Sequence, residues 1–283
     1  MTAELRQARA EDVHELGRIC YEAFKDLSDR HGFPTDFATI EFAQQVVGML
    51  VAQEQVYSVA AYNGDTAKGS NFINLWGEVA GIGPISVDIG AQGEGLGRRL
   101  MDDVIAAARK QGYEMIRLCQ DSFNMQSLAL YASLGFDTKE PLAYLELAAN
   151  GEPDPGFRPA TASDFDAMDE LCQSIYHVSR KGDYEVFLAL GFPMFVIDRG
   201  QIAGYLISSA LGHGVAETTD EMLALYAGYG ANAPGAHSFV PIRDGELYRG
   251  ALAAGHRNIK VMNLMSLGPY EEPQGTYAPS VMF

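Results

Sequence analysis

Val87-Asp88-Ile89-Gly90-Ala91-Gln92-Gly93-Glu94-Gly95-Leu96-Gly97-Arg98-Arg99-Leu100-Met101 is the stretch whose reading decides the fold. Upstream of its loop, Val79 to Ile89 is apolar, bounded by glycines and rich in β-branched residues, the pattern of a buried strand. Downstream, Leu96, Leu100, Met101, Val104, Ile105 and Ala108 recur on one face of a helix. The junction is strand, glycine-rich loop, helix. Glycines at 93, 95 and 97 keep Cβ atoms away from anything that approaches the backbone. The first-turn amides of such a helix have no internal partner and lie at the positive end of its macrodipole. This is the chemistry of a pyrophosphate site, and Arg98 is placed to add a charge-assisted contact.

The spacing narrows the ligand. A P-loop needs Gly-Lys-Ser/Thr where this chain has Gly97-Arg98-Arg99, and Gly97 is one place short of the third glycine of a dinucleotide fingerprint. What is present is Gln92-x-x-Gly95-x-Gly97. An ordinary strand-to-helix turn remains open on the loop alone. The pattern resembles the acetyl-CoA loop of the GCN5-related N-acetyltransferases (GNAT), as does Val87-Asp88 before it; that family usually has proline where Ile89 stands. The resemblance implies that Val87, Ile89, Gln92, Gly93, Gly95, Leu96, Gly97 and Arg98 bind acetyl-CoA as co-substrate.

A second motif stands at the family's distance. After an expected strand, Met115 to Gln120, come Asn124-Met125-Gln126-Ser127-Leu128-Ala129-Leu130-Tyr131 and then Leu134-Gly135-Phe136. Asn124 suits a helix cap and Gly135 a left-handed helix end. The family's second signature is an asparagine, a short helix carrying a tyrosine, and Leu-Gly-Phe. By resemblance, Asn124 and Ser127 meet the pantetheine arm and Tyr131 sits beside the CoA sulfur as general acid. The implied reaction is direct attack of an amine on the thioester, which requires a deprotonated amine and a protonated leaving thiolate. The oxyanion between them calls for a backbone donor from the split after strand Val79–Ile89. Asp88, Glu78 and Asp121 are the candidate bases, water being the alternative. The Phe283 carboxylate, at an apolar carboxyl terminus, is a further candidate.

Composition sets the surroundings. The chain has 283 residues, 47% of them hydrophobic and 20% charged, with a net charge of −17. That length accommodates two domains. The charge argues against nucleic acid and anionic membranes and leans toward a cationic acceptor. No apolar run reaches the roughly 18 residues of a membrane span, and the amino terminus has no export pattern. Three scattered cysteines, Cys20, Cys119 and Cys172, read as buried thiols in a cytoplasmic protein, neither a disulfide framework nor a metal site.

In chain order, a first strand covers residues 4–9, Asp12 caps a helix broken at His31-Gly32-Phe33-Pro34, and a second helix runs from about Asp36 to Gln53. Phe33, Phe37, Phe42 and Met49 are candidates for either an acceptor pocket or core. Val56–Tyr62 and Thr66–Leu75 form a hairpin around Asn63-Gly64, and Leu142–Leu147 is a late strand. The stretch Asn150 to Gly156 has a linker's composition.

Beyond it the sequence repeats. Phe157-Arg158-Pro159-Ala160-Thr161-Ala162-Ser163-Asp164 lies over Leu5-Arg6-Gln7-Ala8-Arg9-Ala10-Glu11-Asp12 at an offset of 152, and Cys172 falls over Cys20. The second copy lacks the chemistry. Gly214 to Leu223 replaces the glycine loop and puts acids at a helix start, Asp244 takes the place of Asn124, and Ala251 that of Tyr131. The expected fold class is α/β (α+β): two tandem GNAT-like domains, each a mixed, mostly antiparallel twisted sheet flanked by helices. The bounds are 1–148 for an acetyl-CoA-binding catalytic domain, 149–156 for a linker and 157–283 for a degenerate copy that completes the pocket or a dimer interface.

The expectation for function is an N-acetyltransferase acting on a primary amine of a small cationic molecule, such as an aminoglycoside-like antibiotic, a polyamine or an amino-acid derivative. A protein or peptide amine is the alternative acceptor, and a catalytically silent CoA-binding sensor or scaffold the alternative function. A thiol-precursor acylase like mycothiol synthase shares the tandem design, but there the second half carries catalysis. Expected partners are the amine and, as an open alternative, a second copy of the chain.

Overall fold

The computed structural model describes residues 3–207 and 211–281. The first half runs β1 (Glu4–Gln7), α1 (Val13–His31), α2 (Ile40–Ala52), β2 (Val56–Asn63), β3 (Thr66–Asn74), β4 (Ala80–Ile82), β5 (Ser86–Val87), α3 (Leu96–Lys110), β6 (Ile116–Asp121), α4 (Met125–Ser133) and β7 (Asp137–Glu146). The second runs β8 (Phe157–Pro159), α5 (Phe165–Tyr176), α6 (Lys181–Ala189), β9 (Met194–Asp198), β10 (Ile202–Ile207), β11 (Gly214–Ala216), α7 (Thr219–Asn232), β12 (His237–Pro241), α8 (Gly245–Ala253), β13 (Arg257–Leu267) and β14 (Thr276–Ala278). It is a mixed α/β molecule whose sheets are dominated by antiparallel pairs, as the sequence pattern implies. Among the described residues no helix is long and apolar enough to cross a membrane.

The apolar stripe of α3 (Leu96, Leu100, Met101, Val104, Ala108) is buried against Val59, Ile73, Ile116 and Leu118, on one face of the sheet. Helices α1 and α2 cover the other face through Leu16, Ile19, Cys20, Ala43, Val47 and Leu50, packed on Ala60, Tyr62 and Phe72. Two expected boundaries are corrected. Helix α2 begins at Ile40, four residues after Asp36, because the Thr39 hydroxyl accepts from Phe42 N at 3.1 Å and fixes the first turn there. The strand expected over Val79–Ile89 is broken into β4 and β5 at Gly83-Pro84, where proline offers no ladder donor, and Ile89 already belongs to a 3₁₀ turn.

That break positions the site. Strand β4 pairs in parallel with β6 through Ala80↔Ile116 and Gly81↔Arg117, whereas among the described residues β5 pairs only with β3. Past Gly81 and Arg117 the sheet therefore opens between β5 and the far end of β6.

The repeat is present in detail. Arg6 grips Asp12 through two hydrogen bonds of 2.8 and 2.9 Å, and Arg158 grips Asp164 through two of 3.0 and 2.8 Å. Each aspartate also accepts from the backbone amide three residues earlier, Arg9 at 2.8 Å and Thr161 at 2.7 Å. The linker separates these copies along the chain, but the sheets cross it. The larger sheet has the order β1-β2-β3-β4-β6-β13-β7-β12, so second-half strand β13 lies between first-half strands β6 and β7. Leu264 pairs with Cys119 on one side and Glu140 on the other. The second half keeps a smaller sheet, β14-β11-β10-β9-β8.

Candidate active site

The glycine loop and the start of α3 form one wall. Gly93 and Gly95 have φ of 83° and 79°, a conformation glycine adopts without cost, and a Cβ at either would meet nothing within 4 Å. Gly95 is the helix cap and offers no side chain to the first turn. The first amide with a helical acceptor is that of Arg99, bonded to Gly95 O at 3.3 Å. The amides of Leu96, Gly97 and Arg98 have no acceptor among the described residues. A Cβ at Gly97 would make an ordinary contact with Leu130 of α4, at 3.5 Å. This cradle suits a diphosphate: open backbone donors, no obstructing side chain, and the positive end of a fifteen-residue helix.

The side chains around the loop are partly committed. Gln92 Nε2 donates to Val87 O at 3.2 Å and ties the loop to β5. The Asp88 carboxylate accepts from Gly90 N at 3.0 Å and lies 3.8 Å from Lys68 Nζ, so it caps the 3₁₀ turn that contains Ile89. Ile89 is half exposed. The Arg98 guanidinium hydrogen-bonds to Ser133 Oγ on α4.

The opposite wall is the end of β6 and the start of α4. Asn124 Oδ1 accepts from Ser127 N at 3.1 Å, which is the expected cap, and Gly135 closes the helix with φ of 94°. Ser127 Oγ donates to Asn124 O at 3.0 Å. Gln120 Nε2 reaches Asn124 O at 2.8 Å and Ser127 Oγ at 3.1 Å, while its Oε1 accepts from Asn263 of β13 at 3.0 Å. Tyr131, one turn further along α4, is 7% exposed and packs beside Phe136. Its hydroxyl makes no hydrogen bond among the described residues. Burial pushes the phenol pKa above its ordinary value, and the charge of Asp121 adds to the shift, so this group holds its proton at neutral pH.

Glu78 does not join this constellation. It is exposed, precedes the start of β4, and accepts from Ser179 N at 3.3 Å. It lines a separate cavity of about 490 Å³ between the halves with Met115, Arg117, Tyr176 and Tyr270. Arg117 is buried there, and burial lowers its pKa to about 10. The loop, by contrast, comes after β5, past the other end of β4.

Three contributors escape motif reading. Gln120 alternates with Leu118 on the α4 side of β6, while Cys119 and Asp121 face the α1–α2 side. Cys119 Sγ donates to Ser280 O at 3.1 Å, so the carboxyl-terminal segment runs beside β6. Lys260 of β13 reaches both Asp121 (2.7 Å) and Asp36 (2.6 Å). A lysine flanked by Ile259, Val261 and Met262 is the signal that could have found it. Met282 and Phe283, and with them the terminal carboxylate considered as a base, lie outside the described residues.

Residues 3–136 match the model of the acetyltransferase (GNAT) family. The fold is similar to a candidate acetyltransferase from Pyrococcus horikoshii, at 18% identity and TM-score 0.79, covering 98% of this chain and 93% of that one. It is similar also to a tandem GNAT protein from the clavulanic acid biosynthesis pathway (16% identity, TM-score 0.62, 95% and 100% coverage). A GCN5-related N-acetyltransferase from Sphaerobacter thermophilus gives 15% identity and TM-score 0.61, over 97% of this chain and 98% of that one. No curated protein matches the chain by sequence.

Proposed function

Because residues 3–136 are a domain of the acetyltransferase (GNAT) family within a tandem GNAT fold, we propose that the chain moves an acetyl group from acetyl-CoA to a primary amine of a small cationic molecule. The observation that carries the reading is the pairing of an open amide cradle at Leu96–Arg98 with a buried, protonated Tyr131 on the adjoining helix. Leu96, Gly97 and Arg98 would hold the diphosphate through their amides, with Gly93 and Gly95 leaving the approach clear. Asn124, whose Nδ2 has no partner among the described residues, would meet the pantetheine arm. Bound there, acetyl-CoA supplies an acyl thioester that an amine can attack.

The protein's own share is proton handling and placement. The raised phenol pKa keeps a proton on Tyr131 Oη for the departing thiolate. Asp88 is engaged as a turn cap beside Lys68, Glu78 lies in a different cavity and Asp121 is paired with Lys260 at 2.7 Å, which leaves water as the alternative acceptor of the amine's proton.

The test is thiol release from acetyl-CoA against a panel of amines, with Tyr131→Phe beside the parent protein, and calorimetric titration of CoA into both. Release that depends on Tyr131 supports the enzyme. Tight CoA binding with no release for any amine replaces it with a CoA-binding sensor, and absence of binding removes both.

A further inference from the structure

Strand β13 belongs to the second half of the chain, yet it runs along β6 with Asn263 directly opposite Gln120 in the antiparallel register. On its other flank Asn263 faces Pro141 of β7, a residue without a polar side-chain group. The Asn263 Nδ2 donates to Gln120 Oε1 at 3.0 Å. Gln120 is 3% exposed, and its neighbours fix which way its amide points. Its Nε2 meets two backbone carbonyls, that of Asp121 and, at 2.8 Å, that of Asn124. It also meets Ser127 Oγ at 3.1 Å, whose own proton goes to Asn124 O at 3.0 Å. Carbonyls only accept, so the NH2 end of Gln120 must face them and its oxygen must face β13. A donor is then required at position 263.

That requirement reaches the site. Asn124 O, held by Gln120, also accepts from Leu128 N at 3.1 Å, and Asn124 Oδ1 accepts from Ser127 N at 3.1 Å. These bonds are the first turn of α4, the helix that carries Tyr131. A buried acceptor without a donor is costly, so a chain that offers Gln120 Oε1 no proton must tolerate that cost or give up the hold on Asn124.

We propose that Asn263 is a positioning residue for the thioester-bearing arm of CoA: acting through Gln120, it sets the start of α4, and with it Asn124 and Tyr131. The proposal rests on the acetyl-CoA reading for the identity of the ligand, though not for the linkage between β13 and α4. The second half thereby contributes a positioning residue to a site whose motifs all lie in the first half.

The test uses the full-length protein with Asn263→Asp, which keeps the shape and turns an oxygen toward Gln120 Oε1, and Asn263→Leu, which offers no polar atom. The probes are CoA and 3′-phospho-ADP, the nucleotide end of CoA without its pantetheine arm, both titrated calorimetrically. Amide hydrogen exchange over residues 122–130 is followed without ligand. At pH 8 both variants are expected to bind CoA about tenfold more weakly than the parent, the worth of one buried hydrogen bond. Affinity for 3′-phospho-ADP is expected to stay at the parent's value, because the cradle at α3 is untouched. Exchange over 122–130 is expected to quicken about tenfold as the first turn of α4 opens more often. A carboxyl held against an acceptor in a partly buried site keeps its proton above the ordinary range and then donates. At about pH 5 the loss relative to the parent is therefore expected to shrink to about threefold or less in Asn263→Asp and to persist in Asn263→Leu.

Unmoved CoA affinity in folded Asn263→Leu, where the parent binds CoA, overturns the proposal. So does a loss of equal size for both probes, which is what a general loosening of the fold produces. Where Asn263→Leu does not fold, Asn263→Asp decides, and a loss that acid does not reverse overturns the proposal. Quickened exchange over 122–130 with CoA bound by none of the proteins keeps the linkage and removes the acetyl-CoA reading. CoA binding and amine-dependent thiol release with both variants indistinguishable from the parent do the reverse.

Discussion

Helices α3 and α7 occupy equivalent places in the two halves and begin in opposite ways. Helix α3 is capped by Gly95, in the left-handed conformation, and leaves its first amides open. Helix α7 is capped by Thr218, whose hydroxyl accepts from Glu221 N at 3.2 Å, and its first turn carries Asp220 and Glu221. Glu221 is itself paired with Arg199 at 2.9 Å. The second helix start is satisfied by its own side chains and presents acids where an anion would have to bind. The clefts differ in the same sense. Beside β4 the sheet opens, whereas β11 is paired with β14 through Val215↔Tyr277, with Tyr277 fully buried. One fold thus yields an open anion cradle or a closed helix end, depending on a few local residues.

Several measurements would break or sharpen that contrast. The largest effect is expected from Tyr131→Phe, which removes the proposed proton donor while keeping the packed ring. Turnover should fall by about 100-fold or more, in line with the worth of a positioned acid, with CoA affinity little changed. Equal turnover in steady-state assays would show that the intact tyrosine is not what separates the first half from Ala251 in the second.

Next is Gly95→Val. A β-branched residue at φ of 79° strains the loop by roughly 1–3 kcal/mol, so CoA affinity measured by calorimetry should weaken by about tenfold or more. Thr218→Ala at the matching position should destabilise the fold by about 1 kcal/mol in urea titration and leave CoA affinity unchanged. A loss of CoA affinity there would place a ligand in the wrong half.

The smallest effect concerns a clasp that the halves share. The Arg158 guanidinium holds the Asp164 carboxyl at about 2, below its ordinary 3.8. A carboxyl whose pKa is depressed by folding contributes stability that is complete above about pH 4 and is lost as pH falls toward 2. Since Arg158 is 37% exposed, the contribution is screened to about 1 kcal/mol or less. Asp12 is also lowered: desolvation opposes the shift, and the bonds from Arg6 and the Arg9 amide overcome it. Urea midpoints at pH 7 and pH 3 should therefore converge when Asp164→Asn is compared with the parent, the variant losing less on acidification.

The sequence by itself determined the parts that depend on neighbours along the chain. The left-handed glycines of the loop, the Asn124 cap with its Gly135 end, and the repeated Arg–Asp clasp are short-range geometry, since each is set by residue types within a few positions. The α2 boundary departs from expectation for the same local reason, Thr39 being a stronger cap than its surroundings advertise. Only the tertiary structure decided that β13 crosses from one half into the other's sheet, because period-two alternation marks a strand without saying which edge it joins. The same holds for Lys260 and Asp36, 224 residues apart in sequence and 2.6 Å apart in space. A pairing of that range leaves no spacing to read, since it is fixed by burial and charge once the strands have met.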